Sequence, residues 1–318
     1  LHFRENMPVK DYFKKMFFGS NEKRGIIMGV VVYVLLITIA FIYLYPVLYM
    51  FSRSMMDKTD LLDSSAKWIP STLTLSNYKQ AIDTMDYWNS LWKNIQIAVL
   101  PTIAQVFICS MVGYGFARYK FPGRTLWMGI LILSFLLPSQ TIDMPNYLLF
   151  QQLKMMDGSL KPFLLLAVLG QGFKSVLCIL IFYNFHRQTP QSLIEAAEID
   201  GADHFTIFLR IIVPLSRSIM AVMVVFAMVA YWNDWFTALI YLKADQAPLP
   251  LILRNILIRS EVSAAQSSTI SGGYAELNKI TEMIKFSSII VAAAPMLIIY
   301  PFVQKYFEQG FMAGAVKG

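Results

Sequence analysis

An all-α, polytopic membrane protein is the fold class this sequence predicts, and three observations carry it. The chain of 318 residues is 56 % hydrophobic and only 15 % charged, where a soluble domain averages roughly a quarter charged. Six stretches are apolar enough to cross about 30 Å of hydrocarbon, a distance that takes about 20 helical residues. Between the fourth and fifth of them lies a polar segment, 186–217, that cannot sit in lipid and must project from one membrane face.

Residues 1–24 set Lys10, Lys14, Lys15, Lys23 and Arg24 among Tyr12, Phe13, Met16, Phe17 and Phe18, an amphipathic, interfacial pattern. The apolar run behind them is too long for a signal peptide and has no small-residue cleavage site, so the first helix is expected to be retained. The transmembrane domain, 25–318, then has spans at about 25–51, 94–117, 125–149, 162–185, 218–242 and 285–305. Asp143, Lys174 and Asp234 interrupt three of these runs. The outer segment 243–283, rich in Ser and Gly near Ser267 to Gly273, reads as a long loop that is mobile or meets a partner.

Orientation follows from the basic residues between spans. The margin between the two sides is small. The short segment from Arg118 to Arg124, however, holds Arg118, Lys120 and Arg124 and no acid, and short loops carry the most weight. Both termini and the segment 186–217 are therefore placed in the cytoplasm. The net charge of +7 is accounted for by this bias; no basic tract interleaved with aromatics stands on a soluble domain, so nucleic acid is not a partner.

The polar segment has the form helix, glycine, helix. Thr189 is placed to cap the first helix, Pro190 at its first position, and Gly201 just past its end. In the second helix Phe205, Phe208, Leu209 and Ile212 recur as one apolar stripe, leaving Glu195, Glu198, Asp200, Asp203 and Arg210 to water or a partner, and Pro214 ends it. The chemistry is that of a docking site, not an active site.

Ionisable groups inside spans are costly and usually face a cavity or one another. Asp143, beside Met144-Pro145-Asn146, either caps a broken helix or faces a transport path with Asn146. Lys174 either snorkels, pairs with Asp143 or Asp234, or meets substrate. Trp232, Asn233, Asp234 and Trp235 offer aromatic faces and polar groups suited to a sugar, and equally suit an interfacial aromatic belt. Gln105, Gln140 and Gln171 serve either the path or helix–helix hydrogen bonds, and Gly113 with Ala117 marks close helix packing. Cys109 and Cys178 lie in apolar runs, outside any metal or redox spacing. His2, His186 and His204 lack ligand spacing, and no P-loop or nucleophile elbow occurs. A membrane-embedded enzyme working through Asp143 and Asp234, or a stand-alone carrier, remains the rival reading.

Glu195-Ala196-Ala197, Asp200-Gly201-Ala202, Phe208 and Pro214-Leu215 reproduce the spacing of the permeases of ATP-binding-cassette (ABC) importers, which this chain resembles. The stretch from Trp68-Ile69-Pro70-Ser71 to Asn77-Tyr78, the stretch from Gly115-Phe116-Ala117-Arg118 to Arg124, and the tail Val316-Lys317-Gly318 resemble the carbohydrate, maltose-type branch. The resemblance implies that Glu195, Ala196, Ala197, Asp200, Gly201, Ala202, Phe205, Phe208 and Pro214 dock on a separate ATP-binding subunit and pass its motion to the spans. It implies two copies of that subunit, which alone hold ATP and magnesium, so that this chain needs no cofactor or metal and is not itself an enzyme. A second, homologous permease, an extracytoplasmic solute-binding protein and the bilayer of a bacterial plasma membrane complete the set. The cargo it implies is an oligosaccharide, for which Lys174 suggests an acidic one.

Overall fold

In a computed structural model, the structure describes residues 19–20, 23–24, 26–57, 60, 68–172, 174–267 and 283–301. Apart from a two-residue antiparallel pair, β1 (Gly19–Ser20) with β2 (Lys23–Arg24), the described chain is helical. Most of the N-terminal segment, the Ser267–Gly273 stretch beyond Ser267, and the tail 316–318 lie outside the described residues.

The first helix, α1 (Ile26–Ser54), is apolar on all sides and its side chains are exposed almost throughout. It is held at its C-terminal end, where Asn77 Nδ2 donates to the Ser54 and Met56 carbonyls at 3.0 and 2.9 Å and Tyr78 Oη lies 2.6 Å from Ser54 Oγ. Trp68 lies edge-on to Tyr45 there, with ring centroids 4.8 Å apart. The stretch from Trp68 to Tyr78 is thus a strap that ties α1 to the short α2 (Ser76–Thr84).

The organising element is α3 (Tyr87–Arg118), 32 residues, about 48 Å at 1.5 Å per residue. Three of the core clusters it enters mark its length. Toward its N-terminal end Ile97 packs with Phe150, Phe163, Ala238 and Tyr241; in the middle Val106 and Cys109 meet Cys178, Ile179, Phe182 and Met223; toward its C-terminal end Tyr114 meets Ile194, Ile207, Phe208 and Ile212. Gly113 makes the middle cluster possible, because a Cβ there would sit 2.7 Å from Phe182 Cβ and 2.9 Å from the Tyr183 nitrogen. Small residues at such crossings let helix backbones approach.

The remaining spans are less regular than the hydropathy predicts. Helices α4 (Arg124–Leu136) and α5 (Ser139–Gln152) meet at Pro138, which removes a backbone donor and turns the chain. The run 162–185, expected as one helix, is α6 (Lys161–Val168) and α7 (Ser175–Arg187) separated by a break that holds Gly170 at φ +69° and Lys174 at φ +53°. The polar segment 186–217 supplies α8 (Gln191–Ile199) and α9 (His204–Leu215); α10 (Arg217–Trp232) leaves α9 at an 82° bend. The run 218–242 breaks again at Asn233 and Asp234 before α11 (Trp235–Tyr241). The described part of the segment expected as a long outer loop is largely helical, with α12 (Leu249–Ser267), whose Leu251 joins the cluster around Ile97 and whose Leu249 is buried with Met85 and Ala292. The last helix, α13, is Met283–Pro301. Among the described residues α1, α3 and α13 are each long and apolar enough to cross a membrane unbroken, and bent pairs raise the number to five.

Candidate functional site

Beside the C-terminal end of α3 lies an exposed pair of short helices. Their turn is a Schellman closure: Gly201 N donates to the Glu198 carbonyl and Ala202 N to the Ala197 carbonyl, both at 3.0 Å. Gly201 stands at φ +81°, a conformation that a Cβ disfavours. The sequence places this turn correctly, but the start of the first helix differs. Pro190 occupies the capping position itself, α8 begins at Gln191, and no side chain caps it. The Thr189 carbonyl is instead taken by Arg118.

Burial divides the pair into two faces. Ile194, Ile207, Phe208 and Ile212 are buried against Tyr114, with Ala197 and Ala202 at the margin. Glu195, Ala196, Glu198, Asp200 and Asp203 face outward, and so do Ile199, 85 % exposed, and Phe205, 54 % exposed. The predicted stripe of Phe205, Phe208, Leu209 and Ile212 is therefore only half right, since Leu209 also faces out. The reason is local: residues Phe208–Ile212 are wound as a π-helix, whose i→i+5 bonds shift the buried face relative to a regular helix. Pro214 sits in the last turn of α9, and the chain turns at Ser216, whose hydroxyl bonds back to the Ile212 carbonyl at 2.6 Å.

The outward face joins large apolar side chains to four carboxylates. At Asp203, the Thr206 hydroxyl, together with backbone N–H groups, holds the carboxyl below the usual carboxylate range, so it stays ionised at neutral pH. His204 Nδ1 lies 4.0 Å from Glu198 Oε1 and its ring meets Tyr119 edge-on at 5.0 Å. An exposed Ile and Phe framed by acids are features of a surface that another protein covers.

The charged candidates fall near the cluster around Ile97. Asp143 on α5 and Asp234 at the start of α11 are on helices joined by the contact of Phe150 with Tyr241, ring centroids 5.2 Å apart. Asp234 caps α11 by accepting from Thr237 N at 3.0 Å, and Asn233 Nδ2 donates to the Val229 carbonyl at 2.8 Å, so this pair satisfies both helix ends at the break. Asn146 and Asp143 are half-buried one turn apart on α5. Trp232 is buried among Ala98 and Tyr231, with Leu91, Ile95, Met228 and Met296 against it, so its faces are covered by protein. Trp235 is the exposed member, with Arg254 over its ring at 4.4 Å. Lys174 is exposed at the break before α7.

Of the two uses the sequence leaves open for Gln105, the structure shows the helix–helix hydrogen bond, with a partner the sequence does not single out. Tyr231 Oη donates to Gln105 Oε1 at 2.7 Å, buried between α10 and α3, and a Cβ on Gly172 would collide with both groups. The Gly170-Gln171-Gly172 run carried the signal: two glycines within an apolar stretch mark a break or a close approach. Among the described residues no His, Cys, Asp and Glu side chains gather in the number a metal ion needs.

The profile of the family described as "binding-protein-dependent transport system inner membrane component" matches residues 105–313. The chain is similar to Protein LplC of Bacillus subtilis (strain 168), with 32 % identity across 94 % of this chain and 97 % of that one. It is also similar to the polygalacturonan/rhamnogalacturonan transport system permease protein YtcP of the same organism, with 30 % identity across 92 % and 99 %. In fold it matches a chain in the crystal structure of a bacterial ABC transporter that imports the acidic polysaccharide alginate, with TM-score 0.71, 22 % identity, and 88 % and 96 % of the two chains covered.

Proposed function

This chain belongs to the inner-membrane components of binding-protein-dependent transport systems, and from that premise we propose that it is a permease subunit carrying an oligosaccharide across the plasma membrane of a bacterium. The rival reading, a membrane enzyme built on Asp143 and Asp234, gives way to it, since Asp234 is engaged as a helix cap. The observation that carries the proposal is the outward face of the helix pair. Ile199 and Phe205, framed by Glu195, Glu198, Asp200 and Asp203, have no covering within the described chain and need one.

In this reading two copies of an ATP-binding subunit, which hold ATP and magnesium, grip the helix pair of this chain and of a second, homologous permease. Glu195, Ala196, Asp200, Gly201 and Phe205 form the contact, while Ala197, Ala202, Phe208 and Pro214 transmit to the spans. The chain makes six passes, counting the broken runs as single crossings, and keeps both termini in the cytoplasm. Closure of the ATP-binding subunits rocks the spans so that a path near their middle opens alternately to each side. Asp143, Asn146, Lys174, Asn233 and Asp234 are the side chains offered to that path. Trp232 joins them only in a conformation that uncovers it.

An acidic cargo is favoured by the exposed Lys174 at the α6–α7 break and by a relative named for polygalacturonan and rhamnogalacturonan. Broken helices near the bilayer middle are where transporters usually place such sites.

A cross-link tests the docking face. Both native cysteines are buried, so Ala196→Cys introduces the reactive thiol of the inner face. A photo-crosslinker attached there in native membranes is expected to capture the ATP-binding subunit. Capture of lipid or solvent alone, with uptake intact, would refute the assignment.

Asp234→Asn separates capping from cargo recognition. Asn caps a helix about as well as Asp, so stability is expected to hold, whereas Asp234→Ala costs about 1 kcal/mol. If Asp234 meets the sugar, the Asn variant shifts half-saturation of uptake several-fold and keeps basal ATP hydrolysis. An unchanged half-saturation leaves Asp234 a helix cap and nothing more.

A further inference from the structure

We propose that Arg118 is the positioning residue that fixes the docking helices to the end of the central helix α3, an inference that rests on the importer reading above. Arg118 is the last residue of α3 and half-buried. Its Nη2 donates to the His186 carbonyl at 2.7 Å and to the Thr189 carbonyl, and its Nη1 to Gln191 Oε1 at 3.1 Å. These acceptors come from three successive pieces of chain: the last turn of α7, the linker 188–190, and the first residue of α8.

The placement follows from elementary requirements. The last carbonyls of a helix lack intrahelical donors, and a cation there also meets the negative end of the dipole. The planar fork of an arginine bridges several acceptors in fixed geometry; a lysine ammonium on a flexible stem does not. His186 adds a second anchor, for its side chain is fully buried and its Nε2 lies 3.3 Å from Ser110 Oγ of α3. The next residue, Tyr119, touches His204 at the start of α9. Residues 118 and 119 thus hold the first turns of both arms of the docking pair.

Chain connectivity alone joins α8 to α7, not to α3. The apolar contact of Tyr114 with Ile194, Ile207 and Phe208 does reach α3, but apolar packing is non-directional and resists separation better than sliding. The three charge-assisted bonds of Arg118 fix the register. A push on the outward face at Ile199 or Phe205 then moves the inner end of α3 instead of bending the linker.

The test uses the assembled transporter, with its second permease, ATP-binding subunits and binding protein, in lipid vesicles, and measures sugar taken up per ATP hydrolysed. Arg118→Gln is expected to retain the ATP-binding subunits on purification and to lower uptake per ATP at least ten-fold. Arg118→Lys is expected to fall between that variant and the parent, and Lys120→Gln, which removes an exposed cation two residues away, to leave the ratio unchanged. An Arg118→Gln transporter within two-fold of the parent overturns the inference. So does failure of both Arg118 variants to retain the ATP-binding subunits, which would make Arg118 a folding residue. A parent preparation that holds no ATP-binding subunit at all overturns the importer reading, and this inference with it.

Discussion

Gly113→Leu is expected to leave the chain in the membrane but unable to hold α3 against α7. The first added atom already collides: Cβ would lie 2.7 Å from Phe182 Cβ, 2.9 Å from the Tyr183 nitrogen and 3.0 Å from the Ile179 carbonyl oxygen. Two of these are backbone atoms of a helix, so relief requires α7 to move as a body. Overpacking of this kind costs roughly 1–3 kcal/mol even where side chains can yield. Lipid offers no compensating hydrophobic drive, because helix association there depends on the fit itself. Separation would also strip the middle cluster of Val106, Cys109, Cys178, Ile179 and Phe182 and draw His186 away from Ser110. The midpoint of thermal aggregation in detergent should fall by an amount on the order of 5 °C or more. Gly115→Leu is the control, since nothing lies within 4 Å of a Cβ at Gly115. Equal losses from both variants would show that close packing at Gly113 is not the cause.

Ile199→Asp should have the opposite profile, with stability preserved and function lost. Ile199 is 85 % exposed, so replacing it removes little contact from this chain, and surface changes of that sort usually stay within about 0.5 kcal/mol. Once covered by a partner, the isoleucine would contribute about 1.5–3 kcal/mol, and an aspartate in its place brings the desolvation of an unpaired charge. At about 1.4 kcal/mol per factor of ten, affinity for the ATP-binding subunit should drop on the order of a hundred-fold. Co-purification across a dilution series reads this directly, beside a melting curve that matches the parent. Undiminished retention of the ATP-binding subunit would place the docking surface elsewhere.

The helix–glycine–helix form of 191–215 was legible because its signals are local. A glycine after a helical turn, acids at helical spacing and a proline near the exit are each properties of a few adjacent residues, and the Schellman turn at Gly201 realises them. The direction of its faces was not, because Phe208–Ile212 is π-wound and Ile207, Phe208 and Ile212 are the residues that reach the Tyr114 cluster. The breaks at 169–174 and 233–234 had signals in Gly170, Gly172 and the Asp234-Trp235-Phe236-Thr237 cap. Hydropathy averages over about a span's length and passes across them. Trp232 looked like a sugar platform beside Asn233 and Asp234; its neighbour Trp235 is the exposed ring, a choice that rests on Ala98 and Met296 from distant parts of the chain.

By itself the sequence determined that this chain belongs in a membrane, that it is helical, and that a polar helix–glycine–helix segment follows the fourth apolar run. Hydrocarbon imposes these outcomes on any chain, since unsatisfied backbone groups cannot remain in it. Only the tertiary structure decided that α3 is the axis of the molecule, that Gly113 lets α7 approach α3 and Gly172 lets the α6–α7 break approach Tyr231 and Gln105, and that Arg118 reaches three acceptors beyond its own helix. Each depends on residues far apart in the sequence meeting at a distance of a few ångströms, which periodicity along one helix does not encode.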